Sequence, residues 1–173
     1  MTDYPISFNA EMIQALIDGR KTQARLLVPN PLGNCGPGDR LWVREAFRHD
    51  EYHEGRYATY RPDRPGHMDC GDEGPLSNWQ PAHSMPRDLS RFTLTVTKTW
   101  IGCVRDIDGA GSIAEGIIAA PGWKEFKGDH PREGFANLWN STHKKHGERW
   151  EDYPTVIAME FTVRVGNIKE VTL

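Results

Sequence analysis

Gly19-Arg20-Lys21-Thr22-Gln23-Ala24-Arg25 marks the point where a helix must stop and a strand must start. Upstream of it, Asn9 is a good helix N-cap, and Met12, Ile13, Leu16 and Ile17 recur at helical spacing on one face. Gly19 ends that helix, because glycine adopts the left-handed terminating conformation without steric cost. Downstream, Ala24 to Val28 reads as a strand, closed by Pro29-Asn30-Pro31. A short apolar strand, Ile6 to Phe8, precedes the helix. The segment is also the centre of positive charge in this part of the chain. Lys21 either steadies the helix end through the helix dipole or, on a loop feeding a barrel strand, points at the barrel mouth, where it could act as a base or bind an anion. Arg20 and Arg25 flank it, and each can hold a phosphate or carboxylate through a bidentate fork.

The rest of the chain is strand-rich. The turn cluster Cys35-Gly36-Pro37-Gly38-Asp39 feeds Arg40 to Glu45, which alternates as a half-buried strand does. A further strand is expected over Tyr57 to Tyr60. Residues 61–85 are rich in Pro, Gly and Asp and read as a long loop insertion, either functional or a tolerated surface insertion. Phe92 to Thr97 alternates most cleanly and continues towards Trp100 and Val104. A short helix is expected over Asp106 to Ile118, a second from Pro131 through Trp139, and a closing strand over Tyr153 to Val165. The expectation is a single α+β domain over residues 1–165, a closed or nearly closed β-barrel with about three peripheral helices, followed by a tail at 166–173.

Composition bounds the function. The chain has 173 residues, 38% of them hydrophobic and 26% charged, which is enough for one folded core. The net charge of −3 argues against a duplex-DNA surface but leaves room for a short single strand or one nucleotide. No run is long and apolar enough for a membrane helix, and the start of the chain does not read as a signal peptide. Three widely spaced cysteines, Cys35, Cys70 and Cys103, suit a reducing cytoplasm better than a disulfide framework. His67 and Cys70, with His49 and His53 nearby, have ligand-like spacing but lack a Cys-x-x-Cys partner, so no metal and no cofactor is expected.

Among candidate site residues, Glu115 in Ser112-Ile113-Ala114-Glu115-Gly116 would on its own be a solvated carboxylate. Arg44 and Glu45 end a strand, where a surface ion pair is the plain reading. Of the tryptophans, Trp42, Trp100 and Trp139 fall within elements and read as core. Trp79 lies in the loop beside His83, either as a lid over the core or as a platform for a base.

The order of Pro5-Ile6-Ser7-Phe8, Gly19-Arg20-Lys21-Thr22-Gln23, Gly38 to Glu45 and Ala114-Glu115-Gly116 resembles the ASCH domain family, relatives of the PUA RNA-binding barrel. The resemblance is strongest to the branch carried by bacteriophages and prophages, in which the stretch around Trp79, Pro81, His83, Met85-Pro86-Arg87 and Arg91 recurs, as does Phe135-x-x-Leu138-Trp139. It implies a PUA-like barrel with a cleft where Lys21 and Glu115 face each other, and RNA or a modified nucleoside as partner. Some family members are amidohydrolases that deacylate N4-acetylcytidine with a Lys, a Thr three residues later and a Glu. On that pattern Lys21 is the base and Glu115 the acid or orienting group, with Arg20, Arg25, Arg44, Glu45, Trp79, His83 and Arg87 as binding residues. The pattern breaks at the Thr, which is Ala24 in this chain and has no hydroxyl. On a strand Thr22 would share a face with Ala24, whereas in the turn its direction is open. Either Ala24 is natural and the chain is a binder or runs a different chemistry, or Ala24 is an engineered loss of the nucleophile. A non-catalytic single-stranded RNA-binding module and a ribonuclease are the competing readings.

Overall fold

The computed structural model describes residues 2–49, 58–60, 79–118 and 130–170. Readings placed on Cys70, on His53 and His67, and on most of the 61–85 insertion lie outside those residues.

The described elements are β1 (Asp3–Ser7), α1 (Ala10–Ile17), β2 (Gln23–Leu27), β3 (Arg40–Arg44), β4 (Phe47–His49), β5 (Ala58–Tyr60), β6 (Phe92–Cys103), α2 (Gly109–Ala114), α3 (His130–Thr142) and β7 (Thr155–Val165). Five strands form one mixed sheet in the order β1-β3-β6-β7-β2, while β4 and β5 form a separate ribbon. Only the β1–β3 pair in the large sheet is parallel. The α+β class therefore stands, but the expected barrel closure does not appear among the described residues: β1 and β2 are the edges of an open sheet. The helix between them takes the place of a closing pair. Ile13 and Leu16 of α1 share one apolar core with Ile6 and Phe8 at one edge and Ala24 at the other. An apolar helix face laid across the gap buries surface that strand pairing would otherwise have covered.

Local chemistry explains the elements. The Asn9 side chain accepts from the Met12 N–H at 2.9 Å and starts α1. Gly19 takes φ 70°, and the next two N–H groups, of Arg20 and Lys21, both donate to Ala15 O. The helix expected over 106–118 is shorter than the sequence pattern implied. Val104–Asp106 is a separate 3-10 turn, and Asp108 then caps α2 by accepting from the Gly111 N–H at 2.7 Å.

The longest strand pair, β6–β7, carries a β-bulge at Thr97, between the Val96↔Phe161 and Lys98↔Glu160 pairs. Before it, Phe92, Leu94 and Val96 face the main core with Phe161. The bulge inserts one residue and so reverses the parity of everything after it. Lys98, Trp100 and Gly102 are thereby delivered to the opposite face of the sheet, where they pair with Glu160, Ala158 and Val156. On that face a second apolar cluster of Val104, Ile107, Phe135, Trp139 and Val156 seats α3.

The chain beyond β7 returns to the body. Asn167 Nδ2 donates to Arg87 O and Ser90 O, and Ile168 is buried. In the 35–39 turn, the Gly36 and Thr2 N–H groups donate to Asp39 and hold its carboxyl below the usual range. Burial, with Asp39 beside it, pushes the Cys35 thiol up to about 11, so Cys35 is an inert packing residue.

Candidate functional site: a buried cation–carboxylate cluster beside a sheet trough

The Gly19 turn folds Lys21 inward instead of leaving it at a solvated helix end. The Thr22 N–H donates to Ala114 O and Thr22 O accepts from Phe161 N–H, so the segment is clamped between the end of α2 and strand β7. Lys21 is completely buried, and its Nζ donates to Gln23 O at 2.9 Å, Glu115 O at 2.9 Å and Glu115 Oε2 at 2.8 Å. The Phe8 ring lies 5.0 Å from the same Nζ. Glu115, only 3% exposed, is the opposite of a solvated carboxylate; its other oxygen accepts from Arg25 Nη1 at 2.9 Å. Desolvating one carboxylate between two cations is tolerable because each charge finds a partner and most polar valences are filled.

A glycine makes this approach feasible. Gly116 sits at φ 105°, and a Cβ there would lie 2.6 Å from the Ala15 Cβ of α1. The end of α2 thus lies against the end of α1, where Arg20 donates to Gly116 O. Gly116→Ala should lower stability by about 2 kcal/mol or more, from overpacking and left-handed strain together; thermal or urea unfolding checks it, and a silent substitution would contradict this contact.

The bulge builds the second half of the site. Across β6, β7 and β2 the register sets Lys98, Glu160 and Gln23 in one row and Trp100, Ala158 and Arg25 in the next. Ala158 is the small floor between a tryptophan and an arginine. The resulting trough has a volume of about 390 Å³, and its far wall is the Gly102–Gly111 segment, including Cys103, Asp106 and Asp108. Arg25 Cζ lies 5.8 Å and Lys98 Nζ 5.1 Å from the Trp100 ring centre. Gln23 Nε2 donates to Glu160 Oε1 at 3.0 Å, while Gln23 Oε1 accepts from Arg25. Arg25 therefore links the trough to the buried Glu115–Lys21 pair. A second hollow, of about 590 Å³ beside α1 and α3, is lined by Met12, Ile117 and Leu138 with Arg20 at its rim and has no aromatic wall.

The structure brings together three of the sequence-derived candidates, Lys21, Glu115 and Arg25. Arg20 lies outside the trough, where it pairs with Asp18 at 2.7 Å and lines the second hollow with Glu115. Ala24 is 2% exposed and projects away from Gln23 and Arg25, into the main core opposite Met159. Thr22 is exposed. Arg44 does not pair with Glu45: its guanidinium lies 5.7 Å from the Trp42 ring and donates to His83 O. Glu45 is 1% exposed and is held by Arg91 through two bonds of 2.8 and 2.9 Å, so the surface-pair reading of this carboxylate is corrected. Trp79 is half-buried with Arg48 5.7 Å from its ring, His83 lies in a 3-10 turn, and Arg87 pairs with Asp3. Trp100, expected in the core, lines the trough. It was missed because sequence alternation carries it onto the face of Leu94 and Val96, and a bulge leaves no mark in hydrophobic periodicity. Lys98, Gln23 and Glu160 were missed for the same reason, since they acquire meaning only by cross-strand register.

No protein-family model matches the chain, and no curated protein matches it. Among solved structures, the crystal structure of a DUF984 protein from Enterococcus faecalis is similar to it, with a TM-score of 0.50 and 11% identity over 100% of this chain and 86% of that one. At that identity the likeness concerns the fold alone.

Proposed function

We propose that the trough between Trp100 and Arg25 holds a nucleobase, presented by RNA or by a modified nucleoside, in a chain of ASCH, PUA-like type. The observation that carries the reading is the Trp100–Ala158–Arg25 row, a ring and a guanidinium separated by a methyl-sized floor. A planar heterocycle stacks on such a ring, and the Gln23–Glu160 amide and carboxylate offer donors and acceptors to its edge. The two cations of the trough, Arg25 and Lys98, face three carboxylates, Asp106, Asp108 and Glu160. That balance suits an uncharged base better than a phosphate. The ASCH assignment rests on the ordered motifs around Lys21, Arg40 to Glu45 and Glu115.

The test is calorimetric titration with a short single-stranded RNA. Trp100→Ala should weaken binding by about tenfold or more, and Trp100→Phe should retain much of it. Ligand should also slow alkylation of Cys103, which lines the trough, as read by peptide mass mapping. Binding indifferent to Trp100→Ala, with Cys103 unprotected, would remove the reading.

One observation favours a second reading, hydrolysis of an N4-acyl amide: the Lys21–Glu115 pair adjoins the trough through Arg25. In the observed arrangement the Lys21 ammonium has all three protons on acceptors and no lone pair for a substrate. Hydrolysis would require Lys21 to give up a proton and one of those acceptors. Release of cytidine from N4-acetylcytidine by this chain or by Ala24→Thr is the expected result of that reading, and no release from either eliminates it for this substrate.

A further inference from the structure

Of the three carboxylates that line the trough, two serve the backbone. Asp106 Oδ2 accepts from the Cys103 N–H at 2.8 Å and Asp108 Oδ1 from the Gly111 N–H at 2.7 Å, and both residues are exposed on the far wall. Glu160 differs. It is half-buried on β7, and the register sets it between Lys98 of β6 and Gln23 of β2. Its Oε1 accepts from Gln23 Nε2 at 3.0 Å, and Gln23 is itself oriented by Arg25, which donates to Gln23 Oε1 at 3.1 Å. The carboxylate is therefore positioned by a neutral amide. Neither Glu160 nor Lys98 makes an ion pair among the described residues, although the two are cross-strand neighbours. Lys98 Nζ lies instead 5.1 Å from the Trp100 ring centre.

An ionised carboxylate has about four acceptor sites, and Gln23 uses one of them, so both oxygens of Glu160 can still accept. Glu160 and Lys98 stand one row from the Trp100–Ala158 pair, about 7 Å along the strands. A base stacked on the Trp100 ring thus turns an edge towards a carboxylate with a lysine beside it. The RNA bases differ in what they offer such a pair. Adenine and cytosine have one donor group on that edge, the exocyclic amine. Uracil has one, N3–H, flanked by two carbonyls that would face the carboxylate with like polarity. Guanine alone carries two adjacent donors, N1–H and the N2 amine, spaced to match two carboxylate oxygens, and its O6 acceptor lies next to them.

We propose that the trough takes guanine in preference to the other RNA bases, with Glu160 accepting from N1–H and the N2 amine as a bidentate pair and Lys98 donating to O6. Gln23 is the positioning residue that aims Glu160. This rests on the nucleobase reading of the trough and assigns the base that the reading leaves open.

The experiment titrates the wild type, Glu160→Gln and Trp100→Ala with single-stranded RNAs of about ten nucleotides, uridine throughout except for one central guanosine, inosine, adenosine or cytidine. The wild type should bind the guanosine strand about tenfold more tightly than the adenosine or cytidine strand. Inosine lacks the N2 amine, and its strand should fall between them. Glu160→Gln should bring the guanosine strand down to the level of the others, whereas a residue acting only on the fold would lower all of them alike. Equal binding of every strand by the wild type, lost in Trp100→Ala, overturns the guanine assignment and leaves the trough reading standing. A guanosine preference that survives Glu160→Gln overturns the role given to Glu160. A guanosine preference lost in Glu160→Gln but untouched by Trp100→Ala upholds the guanine edge and overturns stacking on Trp100. Absence of binding to any strand by the wild type at low salt overturns both readings.

Discussion

Glu115→Ala is expected to cost about 3–5 kcal/mol of folding stability, a large share of what a domain of this size possesses. The substitution leaves Lys21, with no exposed surface, as a buried ammonium without a counter-charge, and releases Arg25 from the carboxylate that aims it. Glu115→Gln should fall in the same range, because the amide preserves shape but not charge. The double variant Lys21→Met with Glu115→Gln should recover much of the loss, since replacing a buried pair by neutral groups is often harmless where breaking it is not. Arg25 then keeps access to the trough and its bond to Gln23. Urea unfolding of the three variants measures the differences, and a single-variant loss below about 1 kcal/mol would show that water reaches the pair. The RNA binding proposed for the trough should fall in Glu115→Ala even where the fold survives, because Arg25 loses its orientation.

Arg91→Met should be comparably severe, at about 3–5 kcal/mol. It removes both guanidinium bonds from Glu45, which is 1% exposed, and takes away a cation lying 4.1 Å from the Tyr60 ring centre. The reverse change, Glu45→Gln, should cost less, because Arg91 is 23% exposed and can turn to water. Urea unfolding of Arg91→Met and Glu45→Gln measures the difference, and a loss below about 1 kcal/mol in Arg91→Met would contradict the weight given to these two bonds.

Both carboxylates looked ordinary in the sequence. Glu115 precedes a glycine at a helix end, and Glu45 follows an arginine at a strand end; neither pattern distinguishes a solvated group from a desolvated one. Burial depends on what the rest of the chain lays over a position. For Glu115 that is the close approach of α1 and α2, and for Glu45 it is Arg91, 46 residues away. The motif singles out Lys21, yet its three acceptors come from Gln23 and from Glu115 at the end of α2, so its complete burial was visible only after folding.

By itself the sequence determined the elements whose signals are local. Asn9 and Gly19 bound α1, the turn at 35–39 launches β3, and the alternating runs from Phe92 and towards Val165 form the central strand pair, because capping, backbone freedom and side-chain period are properties of a few adjacent residues. The family resemblance paired Lys21 with Glu115, and Arg25 came forward as one binding candidate among several. The tertiary structure alone decided that the described sheet is open with α1 across its gap, that Ala24 faces the core, and that a single extra residue at Thr97 turns Trp100 out of the core and into a trough opposite Arg25. Sheet closure, register and the parity change at a bulge are relations between distant strands, and periodicity within one strand carries no trace of them.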